Sequence, residues 1–240
     1  MFNPTNLMGR LAFVTAGLLG MFNCTSVVAA TVSIQNGTAD FSQTGYTPAG
    51  TYDNNLTTGW GVAGQVTSNK TAVWEAVNDV VAPGGSNLTF TLIMGNISPQ
   101  HTFRHFRLSV TGDHRDNFAD GVFPTGGDIS AAWIELTPLT VSITGGASYS
   151  INGDNSILVS GTNPNISTYT VTATSALTTI TGFRVEVFGD AVNRVGRSGT
   201  GNFTLEEFQV DAVPTPEPSS AVLLLIGFVG LRRIRRVQGC

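Results

Sequence analysis

Between Thr31 and Asp211 no stretch of the sequence sustains a 3.6-residue apolar period; short alternating apolar runs rich in Thr and Val are broken by Gly, Pro and Asn. Such a pattern selects strands over helices, because successive side chains on a strand point to opposite faces. The expected strands are Val73–Val77, Leu88–Met94, Thr102–Thr111, Ala132–Leu136, Leu139–Ile143, Ser156–Ser160, Thr168–Ala173, Thr179–Phe188 and Asn202–Asp211. Turn chemistry separates them at Pro83-Gly84-Gly85, Gly145-Gly146, Asn152-Gly153-Asp154 and Asn163-Pro164. The fold class is therefore all-β.

The chain also resembles itself. His105-Phe106-Arg107-Leu108-Ser109-Val110-Thr111-Gly112-Asp113 aligns with Gly182-Phe183-Arg184-Val185-Glu186-Val187-Phe188-Gly189-Asp190, and Thr89-Phe90-Thr91-Leu92 parallels Thr168-Tyr169-Thr170-Val171. Two consecutive strands thus recur, which predicts two related half-units, 31–112 and 132–212. The acidic, Gly-rich stretch 113–131 reads as the loop between them. One composite domain and a tandem pair both fit.

Both ends read as targeting segments. Arg10, the apolar run Leu11–Phe22 and the small residues Val28-Ala29-Ala30 are expected to form a signal peptide over 1–30, with the mature chain starting near Thr31. Asn23 before Cys24 argues against a lipoprotein site. At the other end, 213–240 joins Pro214-Thr215-Pro216-Glu217-Pro218 to an apolar run, Ala221–Leu231, and to Arg232, Arg233, Arg235 and Arg236. As a short hydrophobic helix that run spans about 16 Å, against about 30 Å of bilayer hydrocarbon, which favours transient membrane insertion over a lasting anchor. Motif, span and basic end resemble the PEP-CTERM sorting signal of Gram-negative bacteria. The resemblance implies export, processing by signal peptidase and an exosortase-like enzyme, and delivery to the cell surface or extracellular matrix.

Without these ends no cysteine remains, so the exported part is held by packing and sheet hydrogen bonds or by a metal ion. Residues 31–218 hold Lys70 and six arginines against all sixteen acids, a net charge of −9. That balance excludes nucleic acid and anionic lipid as natural partners and leaves a divalent cation or a neutral polysaccharide.

Tyr52-Asp53-Asn54-Asn55-Leu56-Thr57-Thr58-Gly59-Trp60 resembles the opening motif of discoidin or coagulation-factor type C domains. Ile180–Glu186 with Gly201–Phe208 is similar to the closing strands of that galactose-binding-like group. The resemblance implies a jelly-roll sandwich, weak carbohydrate binding and, in places, a structural calcium ion.

Trp60, Trp74 and Trp133 are expected in the core. The candidate ligand contacts are the loop residues Tyr46, Tyr52, Asp53, Asn54 and Arg197, because a sandwich presents its variable chemistry in loops. Asp113, Asp116 and Asp120, with Asp128 beyond them, are the candidate calcium ligands, since calcium takes oxygen donors from flexible loops. His101, His105 and His114 do not read as a zinc site: on a strand the first two stand about 13 Å apart. Gly196–Gly201 lacks the final glycine and the helix of a nucleophile elbow. The expected function is non-enzymatic: carbohydrate binding or a structural role in an extracellular matrix. The alternatives are adhesion to other surface proteins and a small glycan hydrolase with two facing carboxyl groups.

Overall fold

The computed structural model describes residues 29–120 and 128–215. The expected leader up to residue 28, the segment 121–127 and the sorting signal with Pro216, Glu217, Pro218, Arg232, Arg233, Arg235 and Arg236 lie outside the described residues. Among the described residues no helix is long and apolar enough to cross a membrane.

The strands are β1 (Ala30–Thr31), β2 (Ile34–Ala39), β3 (Trp60–Val62), β4 (Lys70–Val81), β5 (Ser86–Met94), β6 (His105–Thr111), β7 (Ile134–Glu135), β8 (Pro138–Ile143), β9 (Ala147–Ile151), β10 (Ile157–Gly161), β11 (Ser167–Ser175), β12 (Thr179–Val187) and β13 (Phe203–Pro214). Two antiparallel sheets form: β1-β13-β5-β11-β8, with β3 also on β13, and β2-β4-β12-β6-β10-β9, with β7 on β6. The expected all-β sandwich is what the chain adopts, and each expected strand overlaps an observed one.

The expected division into separate units at 113–131 does not describe the pairing. Strands from both stretches are interleaved in each sheet, and one buried cluster runs from Ala39 to Ala212. The repeat has a different meaning. Its first members, β5 and β11, are neighbours in the first sheet, with Thr91 opposite Thr170. Its second members, β6 and β12, are neighbours in the second sheet, with Leu108 opposite Val185. Each of these pairs matches a residue with its own repeat equivalent. An approximate twofold relation therefore interlocks the β5–β6 unit, one strand in each sheet, with the β11–β12 unit around one core.

Residues 113–120 and 128–131 fold against the outer face of the second sheet. Phe118 is fully buried there against Val73, with its ring centroid 5.4 Å from that of Trp133. Trp133 corrects the expectation of a core tryptophan: it is half-buried outside the sheet, donates to Ile129 O (2.8 Å) and lies under the Arg184 guanidinium.

Trp60 and Trp74 are fully buried between the sheets, edge to face with centroids 6.5 Å apart. Phe203 packs on Trp60, and Phe208 stacks on Trp74 at 4.2 Å. Each indole N–H is satisfied by the segment between β2 and β3: Trp60 Nε1 donates to Phe41 O (3.0 Å) and Trp74 Nε1 to Thr51 Oγ1 (2.9 Å). Thr51→Val preserves the shape and leaves the Trp74 donor only the long contact to Pro48 O (3.4 Å). We expect a loss of about 1 to 3 kcal/mol in urea unfolding, with Thr51→Ser retaining most of the stability.

Candidate functional site

The segment 41–59 is shaped by its own side chains. Pro48 opens a 3-10 turn, Pro48–Thr51, where its fixed φ is already suitable, and its carbonyl accepts from Thr51 Oγ1 (2.7 Å). Asp53 Oδ1 then accepts from Asn55 N (2.9 Å) and Oδ2 from Thr58 Oγ1 (2.7 Å), while Asn55 Oδ1 accepts from Thr57 N (3.1 Å). These nested Asx turns put Asn54 at φ 59°, a left-handed conformation that Asn tolerates.

Opposite stands β13, whose pairing with β5 slips between Leu205 and Glu207. This bulge sends two adjacent acids to different surroundings. Glu206 is fully buried beneath the 95–97 turn, where Ile97 N donates to its Oε1 (3.2 Å). Burial pushes its carboxyl from the ordinary 4.5 up to about 7, against the opposing effect of the Ile97 and Asn96 amides. Glu207 is 2% exposed and lies near Asn54 and Asn55. Burial, aided by the charge of Asp53, raises its carboxyl above the usual range. Its Oε1 has no hydrogen-bond partner among the described residues.

Between these elements opens a cleft of about 420 Å³ lined by Thr31, Val32, Ser33, Ile34, Tyr52, Asn54, Glu207, Phe208 and Gln209. Tyr52 is half-buried, packs against the core and accepts weakly from Gly37 N (3.4 Å). The lining combines an aromatic ring, hydroxyls and amides with one carboxylate and no cationic side chain.

The candidate ligand residues thus separate. Tyr52 and Asn54 line the cleft, whereas Asp53 is committed to holding the turn. Tyr46 lies instead over β3, against Gly61, and its carbonyl accepts from Gly61 N (3.2 Å). Arg197 is a clamp: Nη2 donates to Gly161 O (2.7 Å) and Thr162 O (2.9 Å), its amide to Thr102 O (2.9 Å), and its carbonyl accepts from Asn163 Nδ2 (3.0 Å). Glu207, Thr31, Ser33 and Gln209 were not anticipated.

The candidate calcium ligands do not converge. Asp113 Oδ2 accepts from Ala132 N (2.7 Å), Asp116 is exposed beside His114, and Asp120 uses its carbonyl to accept from Asp128 N (2.5 Å). Among the described residues no three His, Cys, Asp or Glu side chains form a group that could hold a metal ion.

A second cleft, of about 470 Å³, is lined by Asn69, His105, Leu158, Phe188, Gly189, Asp190 and Asn193. His105 Nε2 meets Ser156 Oγ at 2.7 Å, and that hydroxyl also donates to Asp154 Oδ1 (2.5 Å). Ser156 is fully buried and its hydroxyl donates a hydrogen bond to the Asp154 carboxylate, so the arrangement orients a loop. Each cleft is lined by one carboxylate, whereas glycoside cleavage uses a facing pair.

No family model and no curated protein matches the chain. Among solved structures it is similar to the family 32 carbohydrate-binding module of C. perfringens NanJ in complex with galactose, with 8% identity over 77% of this chain and 99% of that one and a TM-score of 0.37. It is also similar to the family 32 module of Streptococcus pneumoniae EndoD, with 10% identity over 76% and 94% and a TM-score of 0.39. A third is CBM32-3 from a family 31 glycoside hydrolase of Clostridium perfringens, with 8% identity over 78% and 91% and a TM-score of 0.39. At this level of likeness the cleft has to be read from its own residues.

Glu206 gives the sandwich a measurable pH signature. Its folded pKa lies above the unfolded one, so its contribution to stability is fully present below about pH 4.5 and is lost as pH rises through about 7. Glu206→Gln removes that dependence. In thermal melts across this window we expect the variant to gain about 1 to 3 kcal/mol over the wild type at neutral and higher pH and to match it at low pH.

Proposed function

We propose that this is an exported, non-enzymatic binding protein whose 420 Å³ cleft takes a neutral saccharide, and that it serves in the matrix or on the surface of a Gram-negative bacterium. The observation that carries the reading is the cleft's lining: the Tyr52 ring beside the Asn54 and Gln209 amides and the Thr31 and Ser33 hydroxyls, with no cation to attract an acidic ligand. A pyranose presents C–H faces to an aromatic ring and hydroxyls to amides and alcohols. The volume falls in the range of small-molecule sites. Glu207 acts as a positioning residue under the Asn54 turn, with its unsatisfied oxygen available to an incoming hydroxyl if the turn shifts.

Export rests on the leader and on the resemblance of the tail to a PEP-CTERM signal. Replacing Pro216-Glu217-Pro218 with alanines is expected to leave full-length protein in the membrane fraction. Unchanged trimming and release would remove the support for sorting.

For the cleft, the purified chain is titrated against neutral polysaccharides, with and without calcium. We expect saturable binding that Tyr52→Ala or Asn54→Ala weakens by about tenfold or more, equivalent to about 1.4 kcal/mol. Arg197→Ala is expected to lower the melting temperature by unclamping its loops. Binding that survives both cleft variants, or no binding to any glycan, sinks the reading. Dependence on calcium would support the structural ion; binding that ignores chelator would count against it.

A further inference from the structure

From Leu136 to Phe183 the sequence carries one charged side chain between its ends, Asp154, in a chain whose exported part has a net charge of −9. This stretch builds β8, β9, β10 and β11, one whole flank of the sandwich. β8 is the outermost strand of the first sheet and β9 of the second, joined across the rim by the turn at Thr144-Gly145-Gly146.

Among the described residues β9 has an open ladder. Asn152 N donates to Ser156 O (2.9 Å), and the same register continues through Ile151↔Ile157, Ser150↔Leu158 and Tyr149↔Val159. In an antiparallel pair, bonded and non-bonded positions alternate. Ser148 and Ser150 therefore bond to β10, while the N–H and C=O groups of Ala147, Tyr149 and Ile151 point away from the sheet. Natural edges are blunted by charge, proline or a bulge. β9 has no charged residue or proline, and its pairing with β10 shows no register shift. Tyr149 (44% exposed) and Ile151 (43%) sit opposite the buried Val159 and Ile157, so their side chains lie on the inner side of the sheet, at the open rim of the core.

We propose that β9 pairs antiparallel with β9 of a second copy of this chain, about a twofold axis at Tyr149. Tyr149 then faces the same residue of the copy, and Ala147 faces Ile151. The outward groups at these positions satisfy one another, and the second sheets of two molecules become one. Two exposed rims close into a continuous apolar seam. Charge selects the occupant: two copies of a strongly acidic molecule repel through their charged surfaces, and this flank lets them approach without placing like charges together. The contact is isologous, so association closes at two. This inference is independent of what the cleft binds.

The test is the mass of the full chain by light scattering, in one mild detergent, beside two variants. Tyr149→Lys places a charge on the axis. Ala147→Pro removes an outward donor without touching a bond to β10. We expect twice the monomer mass for the wild type and the monomer mass for both variants, with thermal unfolding of the variants close to that of the wild type at low protein concentration. A monomeric wild type, or a doubled mass that both variants retain, overturns the proposal; the latter assigns association to another part of the chain. Hydrogen exchange in the wild type decides independently of any variant. Protection of the Tyr149 and Ile151 amides is expected to rise with protein concentration, and fast exchange at every concentration overturns the pairing.

Discussion

Two indole N–H groups buried between the sheets have to find acceptors, and the rest of the site depends on where they find them. A stranded donor in the interior costs about 1 to 3 kcal/mol. Neither Trp60 nor Trp74 bonds to a sheet; both turn to the irregular segment between β2 and β3, at Phe41 O and Thr51 Oγ1. That segment is thereby fixed to the core, and Tyr52 and Asn54 follow directly from it. The tryptophans are fully buried and line no part of the cleft, yet they determine where its wall stands. The buried indoles of β3 and β4 and the Tyr52 ring on the cleft wall are tied together through this one irregular segment.

The approximate twofold symmetry explains a crowded patch on the outer face of the second sheet. Arg107 and Arg184 are equivalent in the repeat, and the antiparallel pairing of β6 with β12 brings both to Glu186, at 2.9 Å and 2.8 Å. Arg107 reaches Glu135 as well (2.8 Å). The symmetry is broken on this same outer face. Gly182 stands where the first copy has His105, and Phe118 packs so closely over Gly182 that any side chain there would collide with its ring. That contact closes 113–120 down on the sheet, where composition alone reads as an open acidic loop.

Much of the sandwich was legible because alternation is a strong signal in strands buried on one face. β2 was hidden by Asn36-Gly37, which reads as a turn. Here it is a bulge, with Asn36 at φ 48° and no room beside Gly37, where a Cβ would stand 2.9 Å from the Trp74 ring. β9 was hidden by its small and hydroxylic residues, which form a strand because β10 offers a ladder. The site was half legible. Of the loop candidates, Tyr52 and Asn54 do line the cleft, whereas Arg197 and Asp53 carry polar groups that the loops themselves consume. Glu207 had left a trace: apolar residues fall at 203 and 205, then at 208, 210 and 212, and the change of phase marks the bulge that places it. Pairing across the twofold relation could not be read, since a repeat in sequence does not say whether its copies stand apart or interlock.

β1 lies antiparallel to the end of β13, Ala30 opposite Ala212 and Thr31 opposite Asp211, so the chain arrives at and leaves the sandwich at one place. A pull transmitted through Pro214 runs along β13, whose ladder with β5 extends from Leu205↔Met94 to Pro214↔Ser86. Loaded along the strand, those hydrogen bonds share the force together instead of opening one after another. A molecule held by that end and dragged by its surroundings would resist as a shear joint does, and its weakest mechanical element would lie elsewhere, in the short two-residue grip of β1.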